Sequence, residues 1–287
     1  MIEYPQLTEL PAEYISRKID EFLREDLPDG DKTTDGIYRD DNPVRAIIQA
    51  EEDIVLAGIN LTKHIFSAQE VEILHNDRES VSDGTVIAIL SGDAADILKK
   101  ERVYLNLIQR MSGIATMAAK FATIARPYNV KILDTRKTTP GLRLFEKYSV
   151  SMGGGYNHRM DLSSGILIKD NHIEAAGSVS EAIAMLKGKH YTLPLEIEVE
   201  NEEQIKEAMQ AGVDGFLLDN MNREQTISAV RLIRSYSGGN DVFIESSGGI
   251  NYSNFREYLD TGINAISIGA LTHSVKAADI HIEFEKL

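Results

Sequence analysis

The chain has 287 residues, no cysteine and a net charge of −15, with 43% hydrophobic and 26% charged residues, room for one large α/β domain or a barrel with an accessory domain. Disulfides, thiolate metal sites and a cysteine nucleophile are excluded, and so acidic a chain is not expected to bind nucleic acid, which needs a basic face. No apolar run approaches the roughly 18–20 residues that span a bilayer and no secretory core opens the chain, so neither membrane contact nor export is expected and a cytoplasmic location fits.

Residues 11–26 read as an amphipathic helix with Ile15, Ile19, Phe22 and Leu23 on one face, Pro11 in the first turn and Asp29-Gly30 beyond the end. Strand-like runs follow at 44–50 and 54–57, then a helix over 59–67, then strands at 71–74 and 85–90. Together these imply a small α+β layer. A long helical pattern runs from 94 to 125, and Gly113 within it marks either a break or a packing contact. From 131 the rhythm becomes strand–helix units. Strands are expected at 131–134, 165–168, 195–199, 215–218, 242–245 and 265–268, and helices at 141–150, 178–187, 202–211, 223–235 and 252–260. Alternation of this kind implies parallel strands with right-handed crossovers. The tail, 279–285, alternates as a strand with one solvated face and is expected to return to the first layer.

Six such strands suit an incomplete barrel or an open doubly wound sheet, and the polar residues favour the barrel. Each strand ends in chemically useful groups: Arg136 and Lys137; Lys169; Glu198 and Glu200; Asp219 and Asn220; Ser246-Ser247 with Gly248-Gly249; Ser267 and Gly269. Barrels carry function on the loops after several strands, with a phosphate site after the last two, whereas an open sheet concentrates it at one switch point. The expected architecture is therefore an open TIM-like α/β barrel over 113–270. An N-terminal α/β sandwich-like domain over 1–112 is completed by 271–287.

Residues 131–172 hold seven basic side chains against four acidic ones, a local excess of three positive charges in an acidic chain. Arg136, Lys137, Arg159 and Lys169, with His158, suit a substrate carrying more than one carboxylate or phosphate. Glu198 and Asp219, from successive strands, suit Mg²⁺, ribose hydroxyls or a developing cation. Ser247, Gly248, Gly249 and Gly269 suit a terminal phosphate reached by backbone N–H groups. A phosphosugar, a divalent cation and a polyanionic acceptor would use all three sets.

Longer motifs carry a resemblance: Asp134-Thr135-Arg136-Lys137-Thr138-Thr139-Pro140-Gly141, Glu146-Lys147-Tyr148, Gly153-Gly154-Gly155, Asn157-His158-Arg159, Leu167-Ile168-Lys169-Asp170-Asn171-His172 and Leu218-Asp219-Asn220. With Glu101-Arg102, Ser112 to Thr116, Gly30-Asp31 and Thr33-Thr34, the chain resembles the quinolinate phosphoribosyltransferases over essentially its whole length. The resemblance implies transfer of a phosphoribosyl group from phosphoribosyl pyrophosphate to quinolinate with Mg²⁺, releasing pyrophosphate and CO₂ and giving nicotinate mononucleotide for NAD synthesis. It implies that Arg136, Arg159, Lys137 and His158 hold the two carboxylates, with Lys169 near both substrates. Glu198 and Asp219 would then serve the ribose and Mg²⁺, and Ser247, Gly248, Gly249 and Gly269 the 5′-phosphate. It also implies a homodimer in which Arg102 enters the neighbouring site. Ser164 departs from the pattern, standing where many members carry an acidic residue. The alternatives are a relative found with molybdate transport genes that uses another acceptor, a barrel lyase with Lys169 as Schiff-base nucleophile, and a non-catalytic phosphate-binding protein.

Overall fold

The computed structural model describes residues 2–38, 42–189 and 192–285. The first elements are α1 (Ala12–Asp26), α2 (Lys32–Ile37), β1 (Pro43–Ala50), β2 (Ile54–Val55), α3 (Leu61–Ile65), β3 (Glu70–Ile73), β4 (Ser80–Val81), β5 (Val86–Asp93) and α4 (Ala94–Ala125). There follow β6 (Lys131–Leu133), α5 (Arg143–Met152), β7 (Ile166–Ile168), α6 (Asp170–Ala176), α7 (Val179–Lys187), β8 (Leu195–Val199), α8 (Glu202–Ala211) and β9 (Gly215–Asp219). The chain continues through α9 (Arg223–Ser235), β10 (Phe243–Ser247), β11 (Ala265–Ser267), α10 (Ala270–His273) and β12 (Ile280–Glu285). Among the described residues no helix is long and apolar enough to cross a membrane.

The elements fall into two compact units, one of them built from Leu7–Lys120, Thr139–Gly154 and the chain from Ser274 onward. Its sheet has four antiparallel strands in the order β12-β1-β5-β3, and β2 and β4 form a separate two-residue pair. Burial of Ala46, Ile48 and Ala50 along β1 follows the period of two that sets its inner face. The tail returns as its alternation implies: β12 pairs with β1, Ile282 opposite Ile48. Ile15 and Ile19 of α1 join the same apolar cluster, with Phe22 and Leu23 at its margin. α4 passes through Gly113 unbroken. A Cβ there would lie 2.2 Å from the Lys276 carbonyl oxygen, so this glycine is a packing contact. The run at 54–57 shrinks to two strand residues and the helix at 59–67 to Leu61–Ile65. α2 lacks apolar periodicity and forms because the Asp31 carboxylate accepts the Thr33 and Thr34 amides at 2.9 and 3.0 Å.

The other unit comprises the chain up to Gln6, Phe121–Thr138 and Gly155–His273. Its six strands are all parallel in the order β6-β11-β10-β9-β8-β7. All six expected strands are present, within two residues of the expected bounds. The helix expected at 252–260 is instead a single 3₁₀ segment, Phe255–Tyr258. There the Asn251 side chain accepts the Ser253 amide at 2.9 Å and the Asn254 side chain accepts the Asn251 amide at 2.8 Å, local bonds that compete with a helix. α6 and α10 arise where no helix is expected; α6 is fastened by the His172 Nδ1, which accepts the Lys169 amide at 2.9 Å.

Candidate active site

The C-terminal ends of the parallel strands surround a cavity of about 760 Å³. Strand side chains alternate in direction, and the cavity takes one parity from each strand: Leu167 and Lys169, Leu217 and Asp219, Glu245 and Ser247, Ser267 and Gly269. Eleven of the twelve residues marked in the sequence line it: Arg136, Lys137, His158, Arg159, Lys169, Glu198, Asp219, Ser247, Gly248, Gly249 and Gly269. Arg102 does not; it is exposed on α4.

A buried carboxylate organises the cationic side. Asp134 accepts the Asn157 Nδ2 at 2.7 Å and the His158 amide at 2.9 Å, tying the segment that carries Arg136 and Lys137 to the one that carries His158 and Arg159. The Lys137 backbone is fixed twice, its amide donating to Thr135 Oγ1 at 3.0 Å and its carbonyl accepting from Thr272 Oγ1 at 2.8 Å. Arg159 is buried and donates through Nη1 to the Gly165 carbonyl at 2.9 Å. Burial, and then the nearby Arg136 guanidinium, lower its pKa. The Nε of Arg136 is buried with no hydrogen-bond partner among the described residues. Two guanidiniums that oppose each other's charge, one with an unused donor, make a ready anion site.

Across the cavity Lys169 Nζ lies 2.5 Å from Glu198 Oε2. Asp219 is raised by burial and then by the Glu198 charge, with Lys169 acting in the opposite direction. Asn220, in the left-handed region at φ 54°, donates to the Asp219 carboxylate at 2.6 Å. Gly248 and Gly249 follow β10 with φ of +88° and +62°. A Cβ on Gly248 would sit 2.3 Å from Asn220 Oδ1 and 2.7 Å from its backbone nitrogen, whereas one on Gly249 would meet nothing within 4 Å among the described residues. One glycine therefore permits close backbone approach and the other leaves the space before it open.

His158 is placed differently from the other polar lining groups. Its Nδ1 accepts the Arg159 amide at 2.7 Å, and its Nε2 is 3.4 Å from both Glu196 Oε2 and Glu245 Oε1. Burial lowers the ring's affinity for a second proton and the carboxyls of Glu245 and Glu196 more than reverse that, while the Arg159 amide resists protonation at Nδ1. Sequence reasoning misses Glu196 and Glu245. The signal was present in the strand period, since each lies two residues before a marked residue, Glu198 or Ser247. Tyr4, stacked on His158 with ring centroids 4.7 Å apart, has no sequence signal at all.

The model of the quinolinate phosphoribosyl transferase C-terminal domain matches residues 114–283, and that of the N-terminal domain matches residues 31–112. The chain belongs to the quinolinate phosphoribosyltransferase family. A probable nicotinate-nucleotide pyrophosphorylase (carboxylating) of Bacillus subtilis is 42% identical over 274 residues, 94% of this chain and 93% of that one. The nicotinate-nucleotide pyrophosphorylase (carboxylating) of Mycobacterium leprae is 37% identical over 270 residues, 91% of this chain and 94% of that one. The structure of the nicotinate-nucleotide pyrophosphorylase from Francisella tularensis aligns with a TM-score of 0.92 at 33% identity, covering 99% of this chain and 100% of that one. The family shares with this chain a mixed α/β fold containing a parallel sheet.

Proposed function

We propose that this member of the quinolinate phosphoribosyltransferase family transfers the phosphoribosyl group of phosphoribosyl pyrophosphate to quinolinate, with decarboxylation, in NAD biosynthesis. The observation that carries the reading is the convergence of Arg136, Lys137, Arg159 and Lys169 on one cavity of a chain with net charge −15. The names of the relatives, carboxylating nicotinate-nucleotide pyrophosphorylases, support it. Arg136, Lys137 and Arg159, with the edge of His158, receive the two ring carboxylates, and Lys169 stands between acceptor and ribose. Ser247, Gly248, Gly249 and Gly269 take the 5′-phosphate.

The ring nitrogen attacks C1′ as the bond from C1′ to pyrophosphate breaks, so no protein nucleophile is needed. The residues position the reactants and oppose the charge that develops. Glu198 and Asp219 face the positive charge on the ribose. Loss of the adjacent carboxylate as CO₂ leaves an electron pair that the cationic ring nitrogen stabilises, and a proton then replaces it at carbon. Glu198 and Asp219 also fit Mg²⁺: they offer only oxygen donors, and a cation between them would relieve the repulsion that helps to raise Asp219. Held there, Mg²⁺ would neutralise charge on the pyrophosphate. The ion pair of Lys169 with Glu198 uses the ammonium as counter-charge, which disfavours a Schiff-base lyase.

The proposal extends to architecture and assembly. The six parallel strands form an open TIM-like barrel, and the N-terminal elements form a sandwich-like layer completed by the tail. The chain acts as a cytoplasmic homodimer in which Arg102 enters the neighbouring site. Calorimetric titration tests the acceptor assignment. Quinolinate should bind at least about tenfold more tightly than nicotinate, which lacks one carboxylate, a difference of about 1.4 kcal/mol. Equal affinities would overturn it.

A further inference from the structure

Beside the cationic group lie two carboxyls that the proposed chemistry does not use. Glu196 on β8 and Glu245 on β10 are both 0% exposed. They converge on a single atom, the Nε2 of His158, at 3.4 Å each. Each is braced from behind: the Tyr4 hydroxyl donates to Glu196 Oε2 at 3.2 Å, and Ser267 Oγ donates to Glu245 Oε1 at 3.0 Å. The Tyr4 ring lies against the imidazole at an interplanar angle of 28°. On the far side of that imidazole the Arg159 amide donates to Nδ1 at 2.7 Å.

These contacts fix a tautomer. A ring nitrogen that accepts an N–H carries no proton, so the proton of the neutral imidazole lies on Nε2, which both carboxyls face at 3.4 Å, an electrostatic contact longer than an ordinary hydrogen bond. Rotating the ring by half a turn would lose the contacts at both nitrogens together. The same three side chains stand at metal-ligand spacing. However, a metal on Nε2 would displace the proton to Nδ1, where it would meet the Arg159 amide head on.

We propose that Glu196 and Glu245 are positioning residues for the acceptor half of the site. By holding the His158 proton on Nε2 they leave Nδ1 to accept the Arg159 amide, and this fixes the peptide from which Arg159 reaches the cavity. The inference rests on the reading of that cavity as the quinolinate site. Removing either carboxyl frees the ring to turn, loosens Arg159 and weakens quinolinate, while the ribose and phosphate side is untouched.

Two measurements on the full chain test this. Nitrogen-15 NMR of the histidine-labelled protein, with His158→Gln to assign the signals, should show His158 protonated at Nε2 and bare at Nδ1, with no change when Mn²⁺ or Zn²⁺ is added. A proton on Nδ1, or a metal-dependent His158 signal, would overturn the proposal. In steady-state kinetics, Glu196→Met and Glu245→Met should each raise the KM for quinolinate about tenfold or more, the equivalent of about 1.4 kcal/mol, and shift kcat and the phosphoribosyl pyrophosphate KM far less. Glu196→Gln and Glu245→Gln keep an acceptor oxygen and should restore most of the loss. Folded Met variants with an unchanged quinolinate KM, or Gln variants as impaired as Met, would refute it. If the unmodified protein does not turn over quinolinate, the proposed function fails, and the NMR result still decides the tautomer.

Discussion

Gly248 and Gly249 are chemically identical neighbours that should respond differently to the same substitution. Both have positive φ, +88° and +62°, so alanine at either incurs a left-handed backbone penalty of about 1–2 kcal/mol. Only at 248 does the new methyl also collide, 2.3 Å from Asn220 Oδ1 and 2.7 Å from the Asn220 nitrogen. The side-chain oxygen can swing aside; the nitrogen cannot, because it donates to the Ser247 carbonyl at 2.9 Å. Overpacking of this kind adds about 1–3 kcal/mol. Gly249→Ala should therefore lower Tm by roughly 2–8 °C, and Gly248→Ala by about twice as much, at roughly 2–4 °C per kcal/mol. Calorimetric melting checks the stability. In the transfer assay, Gly248→Ala should also raise the KM for phosphoribosyl pyrophosphate more than that for quinolinate. Equal melting temperatures for the two variants would refute the reasoning.

The long helix provides a second test. Gly113→Ala places a methyl 2.2 Å from a backbone carbonyl and should destabilise by about 3 kcal/mol or more, visible as a lower urea midpoint; a midpoint within error of the unmodified protein would contradict the packing contact. A third concerns pH. Burial, and then Glu196, raise the pKa of Glu245, so the folded chain keeps that proton to higher pH than the unfolded chain does. Its stabilising contribution is complete below the ordinary glutamate range and is lost as pH rises through the raised value. Relative to Glu245→Gln, the unmodified protein should lose Tm with rising pH, and parallel Tm curves would contradict this. A fourth concerns assembly: Arg102→Ala and Lys169→Ala should each abolish activity, and mixed dimers should recover part of it. Verified mixed dimers without activity would exclude the shared site.

The parts of this protein legible in the sequence are those that one local rule specifies. Strand–helix alternation marked the six parallel strands, short apolar runs of which most are buried on both faces, while period two marked the tail and helical spacing marked α1 and α4, which bury one face. The cavity residues were legible because they sit at strand ends, where the same parity that buries one residue delivers the next but one to the opening. That parity also held the answer for Glu196 and Glu245, but nothing in a single strand reveals that residues 158, 196 and 245 meet at one atom. Tyr4 is harder still, since it reaches His158 from a segment with no periodicity. The segment at 252–260 misled because its apolar spacing is helical while Asn251 and Asn254 bond locally. Short helices such as α2 and α6 depend on one capping side chain each, Asp31 and His172, which composition cannot report.

The most direct test of the proposed reaction is turnover with both candidate acceptors. Purified protein, Mg²⁺ and phosphoribosyl pyrophosphate would be given carboxyl-labelled quinolinate, with nicotinate in a parallel reaction. Labelled CO₂ released in step with nicotinate mononucleotide and pyrophosphate, from quinolinate alone, is the expected result. Pyrophosphate release with nicotinate but not quinolinate, or no turnover of either by folded protein, would contradict the assignment.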